Sequence, residues 1–535
     1  MNKKLIQIHI IALLIALLAA ACGINQPSQD AKGMTPPPPP AAKCMEAEAL
    51  KSELLDIQLV QRDFNTEAYD NIVDNPFLMV QQNPLSTFSI DVDTASYANV
   101  RRILNQGNLP PKGAVRIEEL VNYFAYDYQP PKDNTPFAAA VEVAACPWKP
   151  EHRLVRIALK GKEIALDKRP PSNLVFLLDV SGSMEDPNKL PLLKNAMKML
   201  VNQLNANDRL AIVVYAGASG MVLPSTPCDQ KNKILDALDK LQAGGSTNGG
   251  EGLRLAYQTA QANFVKDGIN RVILATDGDF NVGVTSQSDL IPLIEEKAKG
   301  GVFLTVLGFG MGNYKDSTLE KLADKGNGNY AYIDTINEAR KTLVEQMSGT
   351  LITIAKDVKV QIEFNPALVQ AYRLIGYENR LLKNEDFNDD RKDAGEIGAG
   401  HTVTAFYEIV PPGVKIEVPG VDPLKYQQPT KLSPAAAQGE LLTIKLRYKE
   451  PDGETSKLLA FPAVDSGKKF EQASPDFKFA SAVASFGMLL RDSAYKGDVT
   501  FDRVTEIGMA NKGEDKDGFR AEFINLVRTA KALGK

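Results

Sequence analysis

The chain has 535 residues, 44% of them hydrophobic and 24% charged, with a formal net charge of −5. At roughly 150 residues per domain this length implies about three domains, and the composition is that of a globular protein rather than a disordered or fibrous one. The acidic balance offers no electrostatic footprint for nucleic acid and argues against non-specific attraction to anionic surfaces.

The opening residues have the layout of an export signal. Lys3 and Lys4 make a basic start, Leu5 to Ala20 form an apolar run broken mainly by Gln7 and His9, and Ala19-Ala20-Ala21 stand before Cys22. Residues 1–21 therefore read as a leader. Alanine before a cysteine resembles the lipobox of bacterial lipoproteins, with Ala19 where a large apolar residue is usual. That resemblance implies a lipid on Cys22 and a lipid-anchored protein of the cell envelope. Gly23, rather than aspartate, after the cysteine implies sorting to the outer membrane, facing the periplasm or the surface. The apolar run falls short of the ~20 residues that a spanning helix needs.

Residues 22–83 read as a tether. Pro36 to Pro40 favour an extended polyproline spacer, and Glu46 to Val60 carry a short helical pattern through Leu50, Leu54, Leu55 and Ile57. Beyond Cys22 the chain has Cys44, Cys146 and Cys228, an odd number without CxxC spacing, which argues against a zinc site. One disulfide is compatible with an oxidising compartment, its pairing left open.

Folded structure is expected from Pro84. In residues 84–172, alternation over Thr87 to Asp93 predicts a strand, Thr94 to Asn105 and Ile117 to Phe124 predict helices, and Ala139–Ala145 and Leu154–Leu159 predict two strands around a Pro147–Pro150 turn. Residues 173–347 alternate. Apolar strands at Leu174–Leu178, Leu210–Tyr215, Val272–Ala275 and Val302–Leu307 are separated by helical patterns at Lys189–Leu204, Lys231–Leu241, Gly252–Phe264, Leu290–Lys299 and Ser317–Lys325. Such alternation predicts a doubly wound, mostly parallel, Rossmann-like α/β sheet with helices on both faces. Residues 348–465 turn to β pattern, at Val358–Phe364, Val369–Leu374, Thr402–Val410 and Leu441–Tyr448. With the two strands before the central region they suggest one β-rich domain into which the α/β domain is inserted. Residues 466–535 return to helix, at Asp476–Leu490, Phe501–Met509 and Phe519–Leu533, where Phe477, Phe486, Leu489 and Leu490 mark a packing face.

The most informative stretch is Asp179-Val180-Ser181-Gly182-Ser183, directly after the buried run Leu174–Leu178. A carboxylate and two hydroxyls at the carboxyl end of a strand lie where open α/β sheets bind ligands, and hard oxygens suit Mg²⁺ or Ca²⁺ rather than zinc. Thr247, in the loop Gly245-Ser246-Thr247-Asn248-Gly249, and Asp277, after the strand ending Ala275-Thr276, fall at the same sheet edge. In this order the five residues resemble the metal-ion-dependent adhesion site of von Willebrand factor type A domains, over roughly Asn173 to Gln346. Asp91 to Tyr97 and the region after Ser348 are similar, more loosely, to the flanks of bacterial envelope lipoproteins that carry this domain. The resemblance implies that Ser181 and Ser183 bind the ion directly. Thr247 would bind it directly or through water, and Asp179 and Asp277 would hold bound waters. Mg²⁺ is the expected ion, with Mn²⁺ and Ca²⁺ compatible, and an Asp or Glu of a protein partner would complete its coordination. The resemblance also implies that the last helix of the domain, Asn337 to Met347, couples ligand binding to the β region that follows.

Other motifs carry less. Gly308-Phe309-Gly310-Met311-Gly312 lacks the third glycine of a dinucleotide loop and reads as a strand-end turn. Asp91-Val92-Asp93 has Ser96 and Arg102 where a calcium loop needs glycine and glutamate, and reads as a strand end with a helix cap. Asp515-Lys516-Asp517-Gly518 reads as a turn. Apart from His9 only His152 and His401 are present, and HExxH, G-x-S-x-G and P-loop motifs are absent from the sequence. The expectation is therefore a non-enzymatic, membrane-anchored, cation-dependent protein-binding module for adhesion or scaffolding. The alternative is a metal-dependent enzyme or enzyme subunit of the envelope, in which the ion acts as a Lewis acid.

Overall fold

The computed structural model describes residues 67–534, except 91, 166–167, 217–218, 247–248, 279–286, 312–313 and 417–431. The leader, Cys22, the proline run, the 46–60 pattern, Cys44 and Thr247 lie outside the described residues.

The chain begins with a short strand β1 (Leu78–Met79), β2 (Leu85–Ser89), helices α1 (Ala95–Asn105) and α2 (Ile117–Asn122), and a long hairpin of β3 (Phe137–Cys146) and β4 (Lys149–Gly161). The α/β body follows as β5 (Ser172–Asp179), α3 (Leu190–Gln203), β6 (Arg209–Tyr215), β7 (Ser219–Pro227) and α4 (Lys231–Asp239). It continues through α5 (Gly249–Ala262), β8 (Ile269–Thr276), α6 (Gln287–Lys299), β9 (Phe303–Phe309), α7 (Asp316–Lys325) and β10 (Tyr330–Ile333). The exit is α8 (Ile336–Arg340), a π-helical turn over Lys341–Glu345 and α9 (Met347–Leu351). Strands β11 (Thr353–Phe364), β12 (Ala371–Ile375), β13 (Gly395–Gly398), β14 (Thr402–Val410), β15 (Leu442–Lys449) and β16 (Lys457–Ala463) then lead to helices α10 (Pro475–Arg491), α11 (Phe501–Ala510) and α12 (Phe519–Leu533).

The central sheet has the order β10-β9-β8-β5-β6-β7, parallel throughout except for antiparallel β7. All eight residues of β5 are buried, so both of its faces need cover, as parallel strands require. Leu193, Met197 and Leu200 of α3 and Ile234 and Leu238 of α4 cover one face. Leu253 and Tyr257 of α5, Ile294 of α6 and Leu319 and Leu322 of α7 cover the other, joined by Ala95 and Ala98 of α1 from outside the domain. The edge strands β7 and β10 have no counterpart in the sequence reading. β7 contains Pro224, which strands tolerate at an edge, and β10 has only four residues. The expected continuous last helix over Asn337 to Met347 is instead three pieces, α8, the π-helical turn and α9.

Two antiparallel sheets frame this body. One runs β1-β12-β14-β4-β3, the other β13-β11-β15-β16 with β2 also on β11. Strands from before and after the α/β domain pair directly, Leu159 with Val403 and Phe88 with Val360, which makes that domain an insertion. Phe88, Ile157, Leu159, Val360, Ile362, Phe364 and Tyr407 fill the core between the sheets. A separate core joins α10–α12 to α2 and the hairpin through Ile117, Leu120, Ala144, Phe477, Phe486 and Phe523. No helix among the described residues is long and apolar enough to cross a membrane. Cys146 and Cys228 are free and buried in different cores.

The tether expected to run to residue 83 stops short of that, because residues 67–83 lie against the folded body. Asn75 donates to the carbonyls of Leu374 (3.2 Å) and Gly376 (2.9 Å), Asp74 pairs with Arg491 (3.0 Å), and Ala68 N–H donates to Tyr314 O at 3.2 Å. Residues 67–76 of this strap are largely polar and are held by backbone groups and charges of distant elements, whereas Leu78–Met79 pair with β12 as β1 and Val80 is buried in the core between the sheets. Of the Asp91-Val92-Asp93 stretch expected to end a strand and cap the helix, Asp91 lies outside the described residues; the N-cap position is Thr94, which makes no side-chain cap bond, and Asp93 accepts the Tyr330 N–H at 2.8 Å, tying the helix entry to β10.

Buried ion pairs join the insertion to its frame. Arg101 of α1, 2% exposed, reaches Asp334, Glu338 (2.7 Å) and Glu522 of α12 (3.1 Å). Arg116 bonds Asp316 of α7 and Glu119 of α2. Lys341, in the π-helical turn, is buried and donates to Tyr123 O at 2.7 Å. Burial brings its ammonium down from 10.5 to about 7, with Arg101 pushing the same way and Glu338, Glu345 and Glu522 opposing. Lys341 thus loses its proton in the folded protein before it does so in the unfolded chain. Its contribution to stability grows from pH 7 to 10.5 and is lost as pH falls back through 7. In urea titrations at pH 7 to 10, wild type should gain roughly 3–5 kcal/mol over Lys341→Met; parallel curves would contradict this.

At the exit junction the backbones of α9 and β13 touch. A Cβ on Gly398 would lie 1.8 Å from Gly349 O, and one on Gly349 would lie 2.1 Å from the His401 ring. Gly398→Ala is expected to cost about 3 kcal/mol by overpacking, read from denaturant midpoints. Gly220→Ala in β7, with nothing within 4 Å of its Cβ position, serves as the neutral control.

Candidate metal centre

Asp179 ends β5 and Asp277 directly follows β8, the neighbouring parallel strand. The register pairs Leu178 with Ala275, so both carboxylates arrive at one edge of the sheet. Asp179 is 0% and Asp277 1% exposed. The turn after β5 folds back on Asp179: the Ser181 N–H donates to Asp179 Oδ1 at 2.9 Å and the Ser181 hydroxyl at 2.6 Å. Ser181 and Ser183 hydroxyls lie 3.0 Å apart, the first buried and the second exposed. The arrangement is a buried acidic floor under the buried Ser181 hydroxyl, with Ser183 opening to solvent above them.

Thr247 is outside the described residues, but the loop that carries it is bonded to the same turn. Gly244 N–H donates to Val180 O at 2.8 Å, and Gly182 N–H donates to Gly245 O at 3.0 Å. Four of the five expected positions fall within described structure, and Asp179, Ser181 and Ser183 are in direct contact.

Three residues at this edge are not among the expected positions. Thr276 Oγ1 donates to Asp179 Oδ2 at 3.3 Å. The Tyr215 phenol, at the end of β6, hydrogen-bonds the same carboxylate. Lys189, just before α3, donates to Asp277 Oδ2 at 3.1 Å as a buried ion pair. The strand-end position of Thr276 and Tyr215 was the available signal, since residues at that place in neighbouring parallel strands share the edge. A lysine before a helix has no such mark.

Burial pushes the Asp179 carboxyl up from 3.8 to about 6, and nearby Asp277 adds to the rise against hydrogen bonds from Ser181 and Tyr215. Among the described residues no three His, Cys, Asp or Glu side chains converge as a metal cluster. The donors here are two hydroxyls and two carboxylates, the hard oxygens that Mg²⁺ takes while keeping several waters. Two partly compensated buried carboxylates favour a nearby cation, so the residues fit such an ion.

The family-model matches agree with the inserted α/β domain and the region that follows it. The family model described as the von Willebrand factor type A domain matches residues 173–346. A model described as von Willebrand factor matches 63–156, and one described as the C-terminal region of the uncharacterized protein YfbK matches 349–533. The uncharacterized protein YfbK of Escherichia coli (strain K12) is 46% identical over 472 residues, spanning 87% of this chain and 81% of that protein. The Homo sapiens inter-alpha-trypsin inhibitor heavy chain H4 is 28% identical over 166 residues, 30% of this chain and 18% of that protein. A solved von Willebrand factor type A structure from Catenulispora acidiphila has 17% identity and a TM-score of 0.39, covering 74% of this chain and 91% of that one.

Replacing Asp179 separates its cost from its use. Asp179→Asn is expected to raise the melting temperature in chelator, because a buried charge is removed. It should also abolish stabilisation by Mg²⁺, which in wild type reaches about 2.7 kcal/mol at an ion concentration 100 times Kd. Thermal unfolding with and without Mg²⁺ reads both effects.

Proposed function

The chain belongs to the YfbK family, with a von Willebrand factor type A domain at its centre, and on that premise we propose that it is a non-enzymatic, divalent-cation-dependent protein-binding module. In this reading Ser181, Ser183 and Thr247 hold Mg²⁺, Asp179 and Asp277 position its waters, and a partner protein offers an aspartate or glutamate. A lipid on Cys22 anchors the module to the cell envelope, where it acts in adhesion or scaffolding.

One observation supports this reading most: Ser183 faces solvent, while Ser181 and the two carboxylates lie buried beneath it. Neutral hydroxyls next to the ion leave it electron-poor, and the charge that balances it is kept in the floor, away from an approaching ligand. An external carboxylate is then the natural completing ligand. When bound, the ion supplies an electrostatic attachment point for that carboxylate. The protein's own contribution is to hold Ser181 and Ser183 on the Asp179 turn and to fix that turn to the Gly244–Gly245 loop.

The test is affinity capture from envelope extracts with wild type and with Ser181→Ala/Ser183→Ala, each in Mg²⁺ and in chelator. The expected outcome is a partner retained by wild type in Mg²⁺ alone, and lost from the double variant to the chelator level. A partner retained equally in all four conditions would sink the reading.

A further inference from the structure

Lys189 matches none of the five expected metal positions, yet its ammonium sits against one of them. Its Nζ is 3.1 Å from Asp277 Oδ2, with the two side chains 9% and 1% exposed. The backbone fixes its origin: Lys189 N–H donates to Asp186 O at 2.9 Å, and Leu193 N–H donates to Lys189 O at 2.8 Å. Its stem crosses the end of β9 over Gly310, whose φ is +73° and where a Cβ would lie 2.5 Å from Lys189 Cε and 2.7 Å from Cγ. The glycine of the β9 strand-end turn is therefore what lets this lysine reach the acidic floor.

We propose that Lys189 is a specificity-determining residue of the ion site, selecting Mg²⁺ over Ca²⁺; the inference rests on the metal reading above. Two physical effects act together. First, an ammonium hydrogen-bonded to one oxygen of Asp277 opposes that carboxylate closing on an ion with both oxygens. Ca²⁺ takes 6–8 oxygens at about 2.3–2.6 Å, often from bidentate carboxylates, whereas Mg²⁺ at about 2.0–2.1 Å keeps its waters and needs few protein oxygens. Secondly, the ammonium cancels one of the two carboxylate charges. An ion that must draw its coordination directly from charged oxygens loses more by this than one bound mainly through water and neutral hydroxyls. Lys189 therefore lowers the affinity for both ions, and for Ca²⁺ by the larger factor. A lysine that merely braced the loop would change stability and leave the ratio alone.

Isothermal titration of the full chain with MgCl₂ and with CaCl₂ tests this, on wild type, Lys189→Met, Lys189→Gln and Lys189→Arg. Wild type should prefer Mg²⁺. The Met variant should bind both ions more tightly, with the Mg²⁺/Ca²⁺ affinity ratio reduced by at least about tenfold, roughly the effect of 1.4 kcal/mol. Gln, a milder neutral change at the same place, should move the ratio the same way, and Arg should keep it near wild type. A ratio unchanged in folded Met or Gln variants overturns the inference and leaves the metal reading intact, as does a wild-type preference for Ca²⁺. Wild type binding neither ion overturns both.

Discussion

The burial of Asp179 and Asp277 at one edge of a parallel sheet is the constraint to which much of the local structure answers. Adjacent parallel strands in register deliver both carboxylates to the same place, and burial there disfavours the charged form of Asp179. The neighbours respond in kind. Ser181 turns back to donate twice to Asp179, Thr276 and Tyr215 add hydrogen bonds from the neighbouring strand ends, and Lys189 is brought over Gly310 to meet Asp277. Each supplies a donor or a positive charge, which is what a dehydrated carboxylate lacks. The proposed ion is the same response carried one step further.

The inserted domain is not hung on a flexible link. Its β-sandwich frame is closed by strands from both sides of the insertion, and α1 supplies apolar cover to the insertion's own sheet. Arg101 and Arg116 hold buried carboxylates of the insertion, and removing one member of such a set typically costs about 3–5 kcal/mol because the remaining charge stays buried. The interrupted exit, α8 to α9, sits inside this arrangement, with Lys341 on Tyr123 O and Gly349 against Gly398. The strap at Ala68 bonds to Tyr314, and a Cβ on Gly278, next to Asp277, would touch that same Tyr314. The beginning of the described chain is thus two contacts away from the acidic floor.

Much of the fold was legible in the chain itself. Apolar runs such as Leu174–Leu178 separated by amphipathic stretches specify buried parallel strands and covering helices, because that pattern has few other ways to hide its apolar surface. The Asp-x-Ser-Gly-Ser stretch was legible because its types and spacing are local. Asp277 was legible because it ends a recognisable strand. β7 and β10 were not, since β7 lacks a continuous apolar run and contains a proline, and β10 has only four residues. The strap at residues 67–83 reads as a tether in the sequence because the partners that hold it, Leu374, Gly376 and Arg491, are hundreds of positions away.

By itself, then, the sequence determined the inserted α/β architecture and the residue types at the strand ends, since periodicity and local motif depend on neighbours within a few turns of chain. Tertiary structure decided which charges meet. Lys189 on Asp277, Arg101 on Asp334 and Glu338, and Tyr215 on Asp179 all come from elements brought together only by the sheet order and the insertion. The physical reason is that hydrophobic patterning is additive along the chain, whereas charge compensation depends on distance in space.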